Sequence, residues 1–196
     1  QVKKESPAAK QKQRVPAKRP TRETQKTKPR RKKSAAKPED VTLTTKDGVQ
    51  LHCTYYPGPE TKQTVPMILV HDWEGRGKDL DPVARWMQQS LNLSVIVPDL
   101  RGHGSSLRAR GYSKPIDPSR FKGNAISAMT RDIEACKLFL LKKNNQGQVN
   151  IEQLGVLGTG LGSLLAIKWA VWDWSVRDLP TYKQGRDVKA LILVSP

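Results

Sequence analysis

Three short segments hold most of the residues capable of chemistry. The first, His71-Asp72-Trp73-Glu74-Gly75, sets an imidazole beside two carboxylates. The second, Asp99-Leu100-Arg101-Gly102-His103-Gly104-Ser105-Ser106, combines an acid, a guanidinium, an imidazole and hydroxyls. The third, Gly158-Thr159-Gly160-Leu161-Gly162, is glycine-rich and is followed by Ser163. Glycines at 158 and 160 after a strand approximate a dinucleotide-binding fingerprint, but Ser163 stands where the third glycine belongs. The segment also lies in the third strand–helix unit instead of the first, and no acid for a ribose follows the next strand. Neither a nucleotide nor any other cofactor is expected, and no metal site.

These segments matter through the elements that position them. Val41, Leu43 and Thr45 alternate with polar residues, Lys46-Asp47-Gly48 turns the chain, and Val49 to Tyr56 resumes the alternation, which predicts a hairpin. Pro66 introduces Met67-Ile68-Leu69-Val70, short and apolar as a buried central strand should be. Asp81 as N-cap and Pro82 in the first turn predict a helix to about Gln89, with Val83, Trp86 and Met87 facing inward. A second central strand at Ser94–Val97 leads into a long polar loop from Asp99 to Pro118. Asn124–Lys143 has helical spacing of Ile126, Met129, Ile133, Cys136, Phe139 and Leu140. A third strand at Ile151–Gly158, a helix at Leu161–Trp174 and a fourth strand at Val188–Val194 complete the order. Trp169, Trp172 and Trp174 on that helix are expected to pack against the sheet. The predicted class is α/β: a mostly parallel sheet with an antiparallel N-terminal hairpin and helices on both faces. In such sheets ligands bind at the carboxyl ends of the strands, where all three segments lie.

In this order and at this spacing the three segments resemble the α/β-hydrolase family: an oxyanion loop, an Asp-x-Arg-Gly-His-Gly-x-Ser loop and a Gly-x-Ser-x-Gly nucleophile elbow. The resemblance covers about Val41 to Pro196. It implies that residue 160 is the nucleophile position and that the amides of Trp73 and Leu161 are the oxyanion donors. It also implies a cleft lined by His71, Asp72, Asp99, Arg101 and His103. Two departures stand out. The elbow carries Gly160, which has no side chain to attack a carbonyl. Asp72 occupies a position where many relatives have glycine, and a carboxylate there opposes a developing oxyanion unless it points away; dienelactone-hydrolase-like members tolerate an acid there. Thr159 and Ser163 are off-position hydroxyls, Ser163 being the candidate for a displaced nucleophile. The only histidines are His52, His71 and His103, none at the catalytic-base position, so His71 and His103 are expected to hydrogen-bond loop backbone. The chain reads as the N-terminal portion of this fold, without the later strands that carry the family's acid and base. Such a chain is expected to be a degenerate hydrolase whose cleft takes a small ligand or a protein partner. The alternative is an esterase with a displaced nucleophile or a missing C-terminal part.

The net charge of +17 is uneven: residues 1–40 hold 15 of the 35 basic residues and 4 of the 18 acidic ones. That segment, rich in Lys, Arg, Pro, Ala, Gln and Thr, lacks apolar periodicity and is expected to be a disordered tail, with one domain over 41–196. It reads as a linker or as an attachment to an anionic polymer or cell surface, although no aromatic residue precedes Tyr55 for stacking on bases. No run of 18 apolar residues occurs, so no membrane span is expected. The chain opens on Gln1, which is consistent with removal of a secretory signal and export to the periplasm or cell exterior; cytoplasmic residence is the alternative. Cys53 and Cys136 are expected to be buried free thiols.

Overall fold

The computed structural model describes residues 36–176 and 185–195; most of the basic segment lies outside them. Strand β1 (Glu39–Thr44) pairs antiparallel with β2 (Val49–Tyr56), so the hairpin starts two residues before the alternation at Val41. The chain then passes through β3 (Pro66–Val70), α1 (Asp81–Leu91), β4 (Ser94–Pro98), the short β5 (Arg108–Ala109), α2 (Gly123–Ala128), α3 (Thr130–Asn145), β6 (Leu154–Thr159), α4 (Leu161–Ser175) and β7 (Val188–Val194). The sheet order is β1-β2-β4-β3-β6-β7, with β5 pairing β2. β4, β3, β6 and β7 run parallel, and β2 joins β4 antiparallel.

β3 and β4 are wholly buried, as is β6 up to its last residue, which explains their unbroken apolar runs. Successive side chains point to opposite faces, and the core divides accordingly. Ile68, Val70 and Ile96 pack with Ile133, Cys136 and Leu140 of α3 and with Leu165 and Trp169 of α4. Leu69, Val95 and Val97 pack with Ala84 and Met87 of α1 on the other face. Strand order reverses direction around β3, so the loops after β3, β4 and β6 gather at one end of the sheet. β7 forms one edge of the described sheet, and Leu191 to Val194 stay 38–46% exposed.

Several local expectations change. A 3₁₀ turn over Gly77–Leu80 runs straight into α1, so Leu80 is the N-cap and Asp81 the first helical residue. The Asp81 carboxylate instead accepts hydrogen bonds from Tyr56 Oη at 2.6 Å and Arg85 Nε at 2.7 Å. The buried stripe of α1 is Ala84, Met87 and Gln88, whereas Val83 and Trp86 are exposed. Gln88 is drawn inward because its amide serves two loop carbonyls, those of Pro57 and Ala36. The predicted helix at 124–143 breaks at Met129 into α2 and α3, and Met129 itself is fully buried. Ile151–Gln153 is a 3₁₀ turn capped by the Asn150 side chain, so the third central strand begins at Leu154. The polar loop 99–118 contains β5. Of the three tryptophans on α4 only Trp169 is buried; Trp172 and Trp174 are about half exposed.

Charged groups also enter the interior. Lys137 of α3 pairs with Asp187 at 3.1 Å, and Trp169 Nε1 donates to Glu134. The Asp173 carboxylate receives the amides of Asp187 and Val188 and so fixes the start of β7. Both cysteines are buried and free. No helix among the described residues is long and apolar enough to cross a membrane.

Candidate functional site

The loop after β4 is held by its own polar side chains. Asp99 accepts the amides of Gly77 at 2.7 Å and Ser105 at 2.8 Å. Ser106 donates to the Asp99 carbonyl and accepts the His52 amide. Arg101 does not line the cleft: its buried guanidinium donates to Asp132 at 2.7 and 2.9 Å and to Asp47 at 2.7 and 3.1 Å. Its own backbone amide adds a third hydrogen bond to Asp132. Burial pushes the Asp132 carboxyl up to about 6 against these bonds. At Asp47 burial acts the same way, but hydrogen bonds from Arg101, Thr45 and Arg131 outweigh it and hold the carboxyl well below the usual range. This ion network fastens the loop to the hairpin turn and to α3 through partners far apart in sequence.

His71 directly follows β3 and is buried. Its Nε2 faces the Leu100 amide at 2.9 Å and must therefore accept, which leaves Nδ1 to donate to the Asp72 carbonyl at 2.6 Å. Burial, the largest influence, lowers its pKa and favours this neutral tautomer. The ring thus ties the oxyanion loop to the loop after β4, a backbone-binding role matching the expectation. His103 Nδ1 lies 3.0 Å from the Arg101 carbonyl. Its ring meets His71 and Trp73 edge-on at 5.4 and 5.2 Å, and Trp73 meets Phe121 at 5.9 Å. Three of the predicted site residues therefore form one packed group that joins the loop after β3 to the loop after β4.

The corner between β6 and α4 is sharp. Gly160, the N-cap of α4, has φ 50° and ψ −124°, a conformation that L side chains rarely adopt. Its neighbours are forced to be small as well: a Cβ at Gly162 would come within 2.5 Å of the Val70 and His71 carbonyl oxygens. The Gly160 amide donates to Val194 of β7 at 2.9 Å, so the corner is pinned to the adjacent strand. Ser163 is fully buried one turn below, and its hydroxyl donates to the Gly158 carbonyl at 2.7 Å and lies 3.2 Å from that of Val194. Thr159 Oγ1 points toward the Val70 carbonyl at 3.4 Å. Neither hydroxyl rises above the corner beside a proton acceptor.

Above the corner stands a carboxylate. The amides of Trp73 and Leu161 converge on one oxygen, Asp72 Oδ1, each at 2.7 Å. These are the two amides that the resemblance names as oxyanion donors, and two amides aimed at one point form a small anion-binding nest. Its occupant is the chain's own Asp72. A Cβ at position 160 would fall inside that carboxylate. The missing side chain and the extra acid are thus complementary in space: Asp72 fills the volume Gly160 vacates. The hydrogen bonds from Leu161 and Trp73, in that order, lower the Asp72 pKa although the side chain is largely exposed. Sequence reasoning found both departures without finding that they meet, because the two residues are 88 positions apart and become neighbours only through β3–β6 pairing.

No family model matches this chain, and no curated protein sequence does. Solved structures do match. The alpha/beta hydrolase GrgF from Penicillium sp. sh18 superposes with a TM-score of 0.59 at 18% identity, covering 81% of this chain and 45% of that one. An esterase from Pyrobaculum calidifontis gives 0.57 at 16% identity, over 80% and 44%. An alpha/beta hydrolase from Novosphingobium aromaticivorans gives 0.53 at 24% identity, over 81% and 44%. The chain therefore spans less than half the length of each of these structures. With the sheet order, the sharp corner at Gly160 and the convergent amides of Trp73 and Leu161, these likenesses establish that the chain has the α/β-hydrolase fold.

Proposed function

We propose that this chain forms the core of a catalytically degenerate hydrolase, whose cleft binds a ligand or a protein partner without turning it over. One observation carries the reading: Asp72 Oδ1 accepts both oxyanion-type amides directly above a glycine that has no side chain. Serine-type acyl transfer needs a nucleophile at the corner and two free donors for the oxygen that becomes negative. Here the first position is empty of side chain and the second already holds a negative charge. The competing reading, an esterase with a displaced nucleophile, would fall to Ser163 or Thr159. Ser163 Oγ is buried and donates to backbone carbonyl oxygen, and Thr159 Oγ1 is directed toward another. Incubating the whole protein with a fluorophosphonate probe is expected to leave it unlabelled. Stoichiometric labelling that is lost in Ser163→Ala or Thr159→Ala would overturn the reading.

Charge favours a second activity beside the cleft. Residues 1–40 carry a net +11 by the counts above, enough for an electrostatic contact with a phosphate-rich polymer. If the segment makes six or more phosphate contacts, affinity for a DNA duplex of arbitrary sequence should fall about a thousandfold between roughly 50 and 200 mM salt. Binding that survives deletion of residues 1–35 would remove this activity from the segment.

A further inference from the structure

Away from the corner, two free thiols meet inside the core. We propose that Cys53 and Cys136 form a redox modification site, a dithiol that closes to a disulfide when the chain folds in an oxidising medium and so staples β2 to α3.

The strand and the helix present these residues to each other. Along β2 the inward positions Leu51, Cys53 and Tyr55 are fully buried, and they share one core with Ile133, Cys136 and Leu140 of α3. Two clamps hold β2 and α3 side by side. At one end Arg131 of α3 pairs with Asp47 of the hairpin turn at 2.8 Å, and Arg101 bridges the same Asp47 to Asp132. At the other end the Tyr55 and Phe139 rings meet edge-on at 5.1 Å. Cys53 precedes Tyr55 by about 7 Å along the strand, and Cys136 precedes Phe139 by about 4.5 Å along the helix. Both cysteines therefore lie between the clamps and at a similar level, and the Cys136 thiol is in hydrogen-bonding contact with Cys53.

The folded pair is shielded from reagents. Burial first, and the contact with Cys53 second, push the Cys136 thiol up, so its reactive thiolate is scarce in the folded chain. Neither sulfur is exposed to a bulky oxidant. Closure therefore belongs to folding, while the chain is still open. With oxidised glutathione as the oxidant, the thiolate of one cysteine attacks a glutathione sulfur, forms a mixed disulfide and releases one glutathione as its thiolate. Folding brings the second cysteine onto that mixed disulfide, where its sulfur joins the first cysteine and displaces the other glutathione. The protein loses two protons and two electrons, and oxidised glutathione takes up both as two glutathione thiols. The new bond joins positions 53 and 136, a long loop whose closure restricts the unfolded chain.

The test is to refold the whole chain from urea in a buffer of oxidised and reduced glutathione, and in parallel with a phosphine reductant. Intact and peptide mass spectrometry of the oxidised product is expected to show a chain lighter by two hydrogens, with the Cys53 and Cys136 peptides joined and no glutathione retained. Its unfolding equilibrium constant in urea should be lower than that of the reduced chain by about a hundredfold or more, and reduction of the unfolded product should restore the reduced value. In Cys136→Ala the oxidising buffer should produce no such shift. Free thiols after oxidative refolding, a persistent glutathione adduct, a disulfide between two copies, or a cross-linked chain no more stable than the reduced one would overturn the proposal. An equal shift in Cys136→Ala would do the same. The comparison of oxidised with reduced wild-type chain needs no substitution, so it gives the answer even where Cys136→Ala fails to fold.

Discussion

Replacing Arg101 by methionine is expected to cost about 3–5 kcal/mol of folding stability near neutral pH, measured by urea unfolding. The guanidinium is buried and answers two acids at once, and Asp132 beneath it has no exposed surface. Removing the cation strands a carboxylate in the core, and the dominant cost is that uncompensated charge. The pH dependence follows from the sign of the Asp132 shift. Burial already raises its folded pKa to about 6, above its unfolded value, and without Arg101 the folded pKa climbs further. A group with a raised folded pKa binds more protons folded than unfolded, so its stability contribution is present at low pH and lost as pH rises through the folded pKa. The penalty in Arg101→Met should therefore shrink as pH is lowered from about 8 toward 5, because Asp132 then sits in the core as a neutral acid. A penalty independent of pH would mean that the variant fails through lost packing instead. Asp47, whose folded pKa is depressed, works in the opposite sense and loses its contribution only in stronger acid.

The same residues mark what a sequence can and cannot disclose here. Met67-Ile68-Leu69-Val70 and Leu154-Gly155-Val156-Leu157 announce buried parallel strands because both faces of each are covered, and that requirement is written locally. The glycines at 158, 160 and 162 announce a tight corner for an equally local reason, since backbone approaches backbone there. The inward face of α1 is different. Val83, Trp86 and Met87 make a plausible apolar stripe, yet the helix buries Gln88, because unpaired carbonyls of distant loops need its amide. Arg101 illustrates the same limit: its partners come from a hairpin turn and from α3, at 54 and 31 positions' separation. Single motifs name the corner and the two amides; only the pairing of β3 with β6 brings Asp72 over Gly160.

That pairing makes the strongest demand on experiment. Gly160→Ser, which restores the residue type of an active elbow, is expected to destabilise the protein by about 1–3 kcal/mol and to confer no esterase activity. Part of the cost is backbone, because φ 50° with ψ −124° is a region that side chains avoid. The rest is spatial, because the new Cβ and the Asp72 carboxylate claim one volume and the carboxylate must leave its two amides. The two parts separate in a double-mutant cycle. Asp72→Ala alone removes an exposed acid together with its hydrogen bonds from Trp73 and Leu161, and should have a modest effect. In that background Gly160→Ser retains the backbone cost but loses the collision, so the double variant should be more stable than the sum of the single changes by about 0.5–3 kcal/mol. The double variant also frees the two amides for another oxygen. Additive effects in urea unfolding would mean that Asp72 does not occupy the corner, and with that the degenerate-hydrolase reading would lose its geometric basis. Favourable coupling would show that loss of the nucleophile and gain of the acid form a single structural unit, in which position 160 must be glycine because residue 72 is aspartate.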